Sequence, residues 1–196
     1  MDNHPLRLAE WGDYPRIALQ LARAFWDDPV FVWLLPDEAT RIARLTRLFD
    51  LLLRLHGPRA SILRGEDFQA ASIWQPPGTA ALPFSIIARN TPQLIGIFGR
   101  HVLRSLALSN AIESHFPEGR FWYVHFVGVE PELQGSGWGH AMMRQGLRIA
   151  GKDGVPTYLE TARSSNASFY VSMGFEVVGE WNVGNGPHFW SLLYRQ

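Results

Sequence analysis

Apolar residues along this chain recur with two periods, one helical and one alternating, and the switches between them mark out its elements. The first half reads mainly as helix. After a short strand at residues 5–9, Asp13 offers a side-chain oxygen to cap a helix whose apolar stripe is Ile17, Leu21 and Phe25, and which should reach Phe25 or Trp26. Asp27-Asp28-Pro29 interrupts it, and residues 30–35 form an apolar patch. Ile42, Leu45, Phe49, Leu52 and Leu55 predict a second helix that ends at Gly57-Pro58. Residues 59–64 and 68–75 read as a hairpin turning through Gly65-Glu66-Asp67, and Pro76-Pro77-Gly78 breaks its second strand. Thr91-Pro92 then predicts the start of one helix through Leu94, Phe98, Val102 and Leu106, lying over the front of the molecule.

The second half is tighter. Residues 121–129 are an apolar, aromatic run suited to a central strand, followed by a Gly-rich turn and a helix at 137–150. A strand at 157–161, a short helix at 166–173, and a hairpin of 175–183 with 188–194 complete the order. Strand, helix, strand with a parallel crossover places the chain in the α/β class. No linker or repeat divides it, so residues 1–196 are expected to form a single domain.

Charge and composition narrow the chemistry. Eighteen Lys+Arg balance eighteen Asp+Glu at a pI near 7.1, so no basic field draws nucleic acid, and the row Arg41, Arg44, Arg47 and Arg54 reads as a solvated helix face. Zero cysteines exclude disulfides, thiolate metal sites and a covalent thioester on the enzyme. Neither a secretory leader nor a membrane-length apolar run is evident, which predicts a cytoplasmic protein without a membrane partner. The only lysine, Lys152, stands in Gly-Lys-Asp rather than a P-loop, and the histidines lack metal-binding spacing, so no metal is expected.

The turn after the central strand carries the sharpest signal. Gln134-Gly135-Ser136-Gly137-Trp138-Gly139 sets glycines at alternate positions where a helix must begin, so that bare amides and the positive helix end face whatever binds there. A pyrophosphate fits such a turn, and a plain Gly-rich turn is the alternative. A dinucleotide fingerprint fits less well, since His140 stands where its last glycine belongs.

That hexapeptide, and Asn166-Ala-Ser-Phe-Tyr170-Val-Ser-Met-Gly174-Phe175 after it, resemble the acyl-CoA motifs of the GNAT N-acetyltransferase family, most closely its puromycin N-acetyltransferase-like members. The resemblance is sharp from about residue 121, and its acyl-CoA-binding core spans about 121–183. It implies a central mixed, mostly antiparallel sheet of six or seven strands, splayed between strands 4 and 5 and flanked by helices. It also implies that acetyl-CoA is the cosubstrate, held by Val127, Gly128 and Val129 along the pantetheine arm and by Gln134, Gly135, Ser136, Gly137, Trp138 and Gly139 at the pyrophosphate. By the same resemblance Asn166 contacts the arm and Tyr170 protonates the departing thiolate.

Three side chains are candidates for catalysis. Beside Tyr170, His125 is the candidate base, because strict alternation would put it on the face of Val127 and Val129 and imidazole titrates near neutrality. Glu160 reads first as a brace or orienting group of the sheet, with ammonium binding and an alternative base as its other roles. Tyr123 stands where some histone-acetylating members carry a Glu, and His115, Trp122, His188 and Trp190 are further candidates for the acceptor pocket. The expected reaction is direct acetyl transfer in a ternary complex to a primary amine of a small molecule. A non-catalytic acyl-CoA-binding or regulatory module and a protein or peptide N-acetyltransferase are the alternatives, and a homodimer is open.

Overall fold

The computed structural model describes residues 4–196. Strands β1 (Leu6–Leu8), β2 (Ser61–Gly65), β3 (Ala70–Gln75), β4 (Trp122–Val129), β5 (Thr157–Thr161), β6 (Glu176–Asn182) and β7 (His188–Tyr194) form one seven-stranded sheet in the order β1-β2-β3-β4-β5-β7-β6. All neighbours are antiparallel except β4 and β5. The helices are α1 (Tyr14–Ala24), α2 (Pro29–Leu34), α3 (Glu38–His56), α4 (Phe84–Phe98), α5 (Val102–Ser114), α6 (Trp138–Ala150) and α7 (Ser164–Ser172).

One face of the sheet packs on α1 and α3, the other on α6 and α7. Ile17, Leu21, Leu45, Phe49 and Phe126 share the first core. Trp74, Val124, Met143, Leu159 and Tyr170 share the second. Four phenylalanines, Phe25, Phe31, Phe49 and Phe126, interlock in the first, with Phe49 and Phe126 centroids 5.1 Å apart, and each such pair adds about 0.5–1.5 kcal/mol beyond burial. Gly128 lets α1 lie directly on β4: a Cβ there would stand 2.8 Å from Leu21.

Two features of β4 place the site. First, β5 pairs with it only at Trp122↔Thr157 and Tyr123↔Tyr158, after which the two parallel strands part. The remainder of β4 has a partner only in β3. Second, the β3 pairing slips so that Ile73 faces Phe126 while Trp74 faces Val124, leaving His125 as the extra residue of a bulge.

Several expectations change in three dimensions. Residues 30–34 belong to a helix, α2, because Asp28 caps Val30 N at 3.0 Å and Pro29 fits a first turn. Asp13 does not cap α1 with its side chain, since its carboxylate is taken by Arg64 Nε at 2.8 Å and Glu10 N at 2.9 Å. The helix predicted from Thr91 is two helices: α4 starts earlier, at Phe84, carries Pro92 inside, and breaks at Gly99, whose φ of 56° separates it from α5. The arginine row is only partly a solvated face. Arg41 is 2% exposed and donates to the carbonyls of Leu35, Pro36 and Trp26, while Arg44 and Arg47 donate to those of Ile97 and Gly96 at the end of α4. Arg47 and Arg54 are the exposed members, and Arg54 pairs with Asp50 one turn away.

Candidate active site

Where β4 and β5 part, a cavity of about 270 Å³ passes through the sheet. It is lined by Tyr170 and Asn166 from the α7 side, by His56, His125 and Glu160 from the opposite side, and by residues 123–127 of β4 between them. Helices α4 and α5 roof it, as the sequence suggested for that region. Thus Tyr170, Asn166, His125, Glu160 and Val127 come together in one space.

The Gly-rich turn stands at the end of β4. Gly135 and Gly137 hold φ of 79° and 94°, a region closed to most side chains, and a Cβ on Gly135 would meet nothing within 4 Å. The first intrahelical bond of α6 is Ala141 N to Gly137 O at 3.0 Å, which leaves the amides of Trp138, Gly139 and His140 without a helical acceptor. This open row of donors at a helix N-terminus fits a diphosphate. The Ser136 amide is the exception, turned to Leu133 O at 3.3 Å, and its hydroxyl bonds the same carbonyl. Two side chains of the motif, and one carbonyl of β4 before it, serve the fold. Gln134 Nε2 donates to Val129 O at 3.4 Å, Trp138 is buried against Leu63, Ala70 and Met142, and the Gly128 carbonyl accepts from Gln20 at 3.2 Å. His4 closes over the turn, with Nε2 3.0 Å from Ser136 O and its ring edge-on to Trp138.

The bulge corrects the alternation argument for His125. Because two residues of β4 oppose one of β3 at this point, His125 turns to the α3 side with Tyr123 and Phe126, away from Val127 and Val129. There it meets His56 of α3 at a ring separation of 5.2 Å. Gln75 Nε2 bridges the pair, donating to His56 Nδ1 at 2.7 Å and to His125 Nδ1 at 3.1 Å. The Gln75 amide thus engages Nδ1 of both rings, and its own Oε1 is buried without a partner. Burial lowers both imidazoles, His56 to about 4 and His125 well below the ordinary range, with His56 adding to the effect on His125.

Glu160 stands on β5 beside the hydroxyls of Tyr158 and Tyr123. Both of its carboxylate oxygens are buried without a hydrogen-bond partner. Burial pushes the carboxyl up to about 8, and the neighbouring Tyr158 and Tyr123 hydroxyls moderate the rise. Tyr158 is engaged elsewhere, its hydroxyl 2.9 Å from both His115 O and Ser191 Oγ. Tyr170 is raised by burial first and by Asp28 second, so its phenol stays protonated throughout the physiological range. His115, Trp122, His188 and Trp190 do not line the cavity: His115 stacks on Trp181, Trp122 donates to Asp153 at 2.8 Å, His188 lies 3.1 Å from Glu180, and Trp190 packs edge-on to His188.

Sequence reading missed His56, Gln75, Asp28 and Glu113, which also belong to this region. His56 and Gln75 each sit at the last position of their element, and no spacing in the chain joins them. Only the sheet register and the packing of α3 bring them to His125. Among the described residues no cluster of acids and histidines suits a metal, and no helix is long and apolar enough to cross a membrane.

Comparison with known proteins follows the same lines. The acetyltransferase (GNAT) family model matches residues 45–175. An uncharacterized N-acetyltransferase of Schizosaccharomyces pombe is 29% identical over 177 residues, covering 85% of this chain and 72% of its own length. An acetyltransferase of Stachybotrys chartarum is 28% identical over 192 residues, with 91% and 83% covered. The crystal structure of histone acetyltransferase HPA2 and related acetyltransferase from Corynebacterium glutamicum superposes with a TM-score of 0.77 at 23% identity, over 98% of this chain and 96% of that one.

Proposed function

The chain belongs to the GNAT acetyltransferase family, and from that premise we propose that it transfers the acetyl group of acetyl-CoA to the primary amine of a small molecule bound under α4 and α5. The observation that carries this reading is the gap between β4 and β5. The open amides at the start of α6 stand at the end of β4, and the cavity that holds Glu160 reaches Val127, Asn166 and Tyr170 beside the parting strands. Acetyl-CoA supplies an activated acyl carbon when it binds. Bare amides from Gly137 into the first turn of α6 hold its diphosphate, the unpaired edge of β4 at Val127 to Val129 receives its arm, and Asn166 lies beside that path.

In the reaction an N–C bond forms as the C–S bond breaks, so the attacking nitrogen must shed a proton and the sulfur must accept charge. With no cysteine in the chain the transfer is direct, in a ternary complex. Glu160 is the better base. Its carboxyl titrates near the working pH and has only the Tyr158 and Tyr123 hydroxyls beside it, whereas His125 has Nδ1 engaged by Gln75 and is held neutral by burial. Our assignment therefore places the base at Glu160 and leaves His125 as a neutral group of the wall. Tyr170, held protonated, donates its hydroxyl to the thiolate as it forms.

The test is CoA release from acetyl-CoA against amines, followed over pH. With Glu160 as base, kcat/KM rises as pH climbs through about 8, and the rise is absent from Glu160→Gln. An unchanged profile in that variant removes Glu160 from the role. Acetyl-CoA binding without release on any amine replaces the enzyme reading with that of a binding module. Peptides competing on equal terms with small amines favour a protein acceptor.

A further inference from the structure

The cavity beyond the β4–β5 gap has a one-sided chemistry. Leu52 of α3, Leu94 and Phe98 of α4, Leu106 and Ile112 of α5, and Phe116 after it make its walls and roof hydrocarbon. Among the described residues no Arg or Lys lines it, and its acids are Asp28, Glu113 and Glu160. Asp28 is committed, with Oδ1 accepting from Val30 N at 3.0 Å and Oδ2 3.7 Å from Arg163. Glu113 and Glu160 both act on the Tyr123 hydroxyl, so they stand at the same end of the space. Glu160 brings two buried oxygens that no well-aligned hydrogen bond satisfies, with the Tyr158 and Tyr123 hydroxyls beside them.

Such a carboxyl is satisfied by a ligand that donates, and an ammonium offers up to three N–H bonds with the opposite charge. Beyond that end the surface is mostly apolar, with Ser105 and Ser109 of α5 and His56, His125 and Asn166 as its neutral polar groups. A second cation would lose its water there and find no free opposite charge, and a peptide backbone would find few partners. The volume, about 270 Å³, lies just under the roughly 300–1,000 Å³ of ordinary ligand clefts, which limits the body to a compact one. We propose that the acceptor is a compact lipophilic monoamine, its one nitrogen at Glu160 and its hydrocarbon or aromatic body under α4 and α5. This rests on the amine-acetylation reading and gives that site its substrate class.

The experiment measures both turnover and binding for the intact protein. Linear monoamines from propyl to hexyl and 2-phenylethylamine are compared with spermidine and a tripeptide amino terminus. Expected is a kcat/KM that grows about threefold to fourfold per methylene until the roof is reached, at least tenfold below for spermidine and the peptide. Leu106→Asp, placing an acid in the roof, should shift preference toward a diamine of matching length, with acetyl-CoA affinity and the melting temperature serving as controls for folding. The chain-length series on the unaltered protein decides the matter if that variant does not fold. Turnover of spermidine or peptide equal to hexylamine overturns the substrate class and leaves amine acetylation standing. Lipophilic amines that bind by calorimetry yet release no CoA leave the class standing and overturn the transfer. No binding and no turnover with any lipophilic amine overturns the class outright.

Discussion

The two halves of the site are made of different material. On the α6 side the candidate groups are backbone amides close together in sequence, from Gly137 to His140, freed by glycine and aimed by the start of a helix. On the α3 side they are side chains gathered from distant parts of the chain, from Asp28 and His56 through Gln75 and His125 to Glu160. A backbone cradle tolerates change in most neighbouring side chains and recognises a constant ligand. A side-chain pocket is respecified by single substitutions, which suits the half that meets a variable acceptor.

Substitutions that touch one half only test this division. Tyr170→Phe removes the donor at their junction and should lower kcat on the order of 100-fold while acetyl-CoA affinity stays within about threefold, as read by single-turnover kinetics and calorimetry. Equal losses in both would make Tyr170 part of the cradle instead. Gly137→Val forces a β-branched residue to a φ of 94° and crowds His4, which lies 3.1 Å from the position of a Cβ. It should weaken acetyl-CoA binding by about tenfold or more and leave amine binding untouched. A matching loss of amine affinity would show that the halves do not act separately.

Smaller effects come from burial of the titrating groups. Glu160 has a folded pKa of about 8 against an ordinary 4.5, so its contribution to stability is full below about 4.5 and is lost as pH rises through about 8. Glu160→Gln abolishes that loss. Its melting temperature relative to the unaltered protein should therefore be several degrees more favourable at pH 9 than at pH 5, on the order of a few kcal/mol. A pH-independent offset would sink the claim that the carboxyl is ionised unwillingly. The buried histidines act in the opposite sense. His56, lowered from 6.5 to about 4, contributes stability that is present above 6.5 and lost as pH falls through about 4. His56→Asn should flatten part of that acid limb in melting curves taken between pH 4 and 7.

Legibility in the sequence follows the same division. The strand at 122–129, the Gly-rich turn and α6 were readable because their chemistry lies in contiguous residues, where glycine spacing and hydrophobic period report backbone conformation directly. The break at Gly99 escaped, because Leu94, Phe98, Val102 and Leu106 keep one helical period across it while a positive φ redirects the backbone. Arg41 shows the same limit: its place in a cationic row suggested solvent, yet three carbonyls from neighbouring turns take it inside.

The amino-acid order by itself determined most of the element sequence, the family motifs and the Gly-rich turn, all of which depend on neighbours a few positions apart. Only the tertiary structure decided that one extra residue in β4 parts His125 from the face of Val127 and Val129, that Gln75 ties it to His56, and that Glu160 is buried with only two phenols beside it. Those outcomes depend on which strand pairs with which, in what register, and under which helix. The energies that settle them arise between residues far apart in the chain, where no local pattern records them.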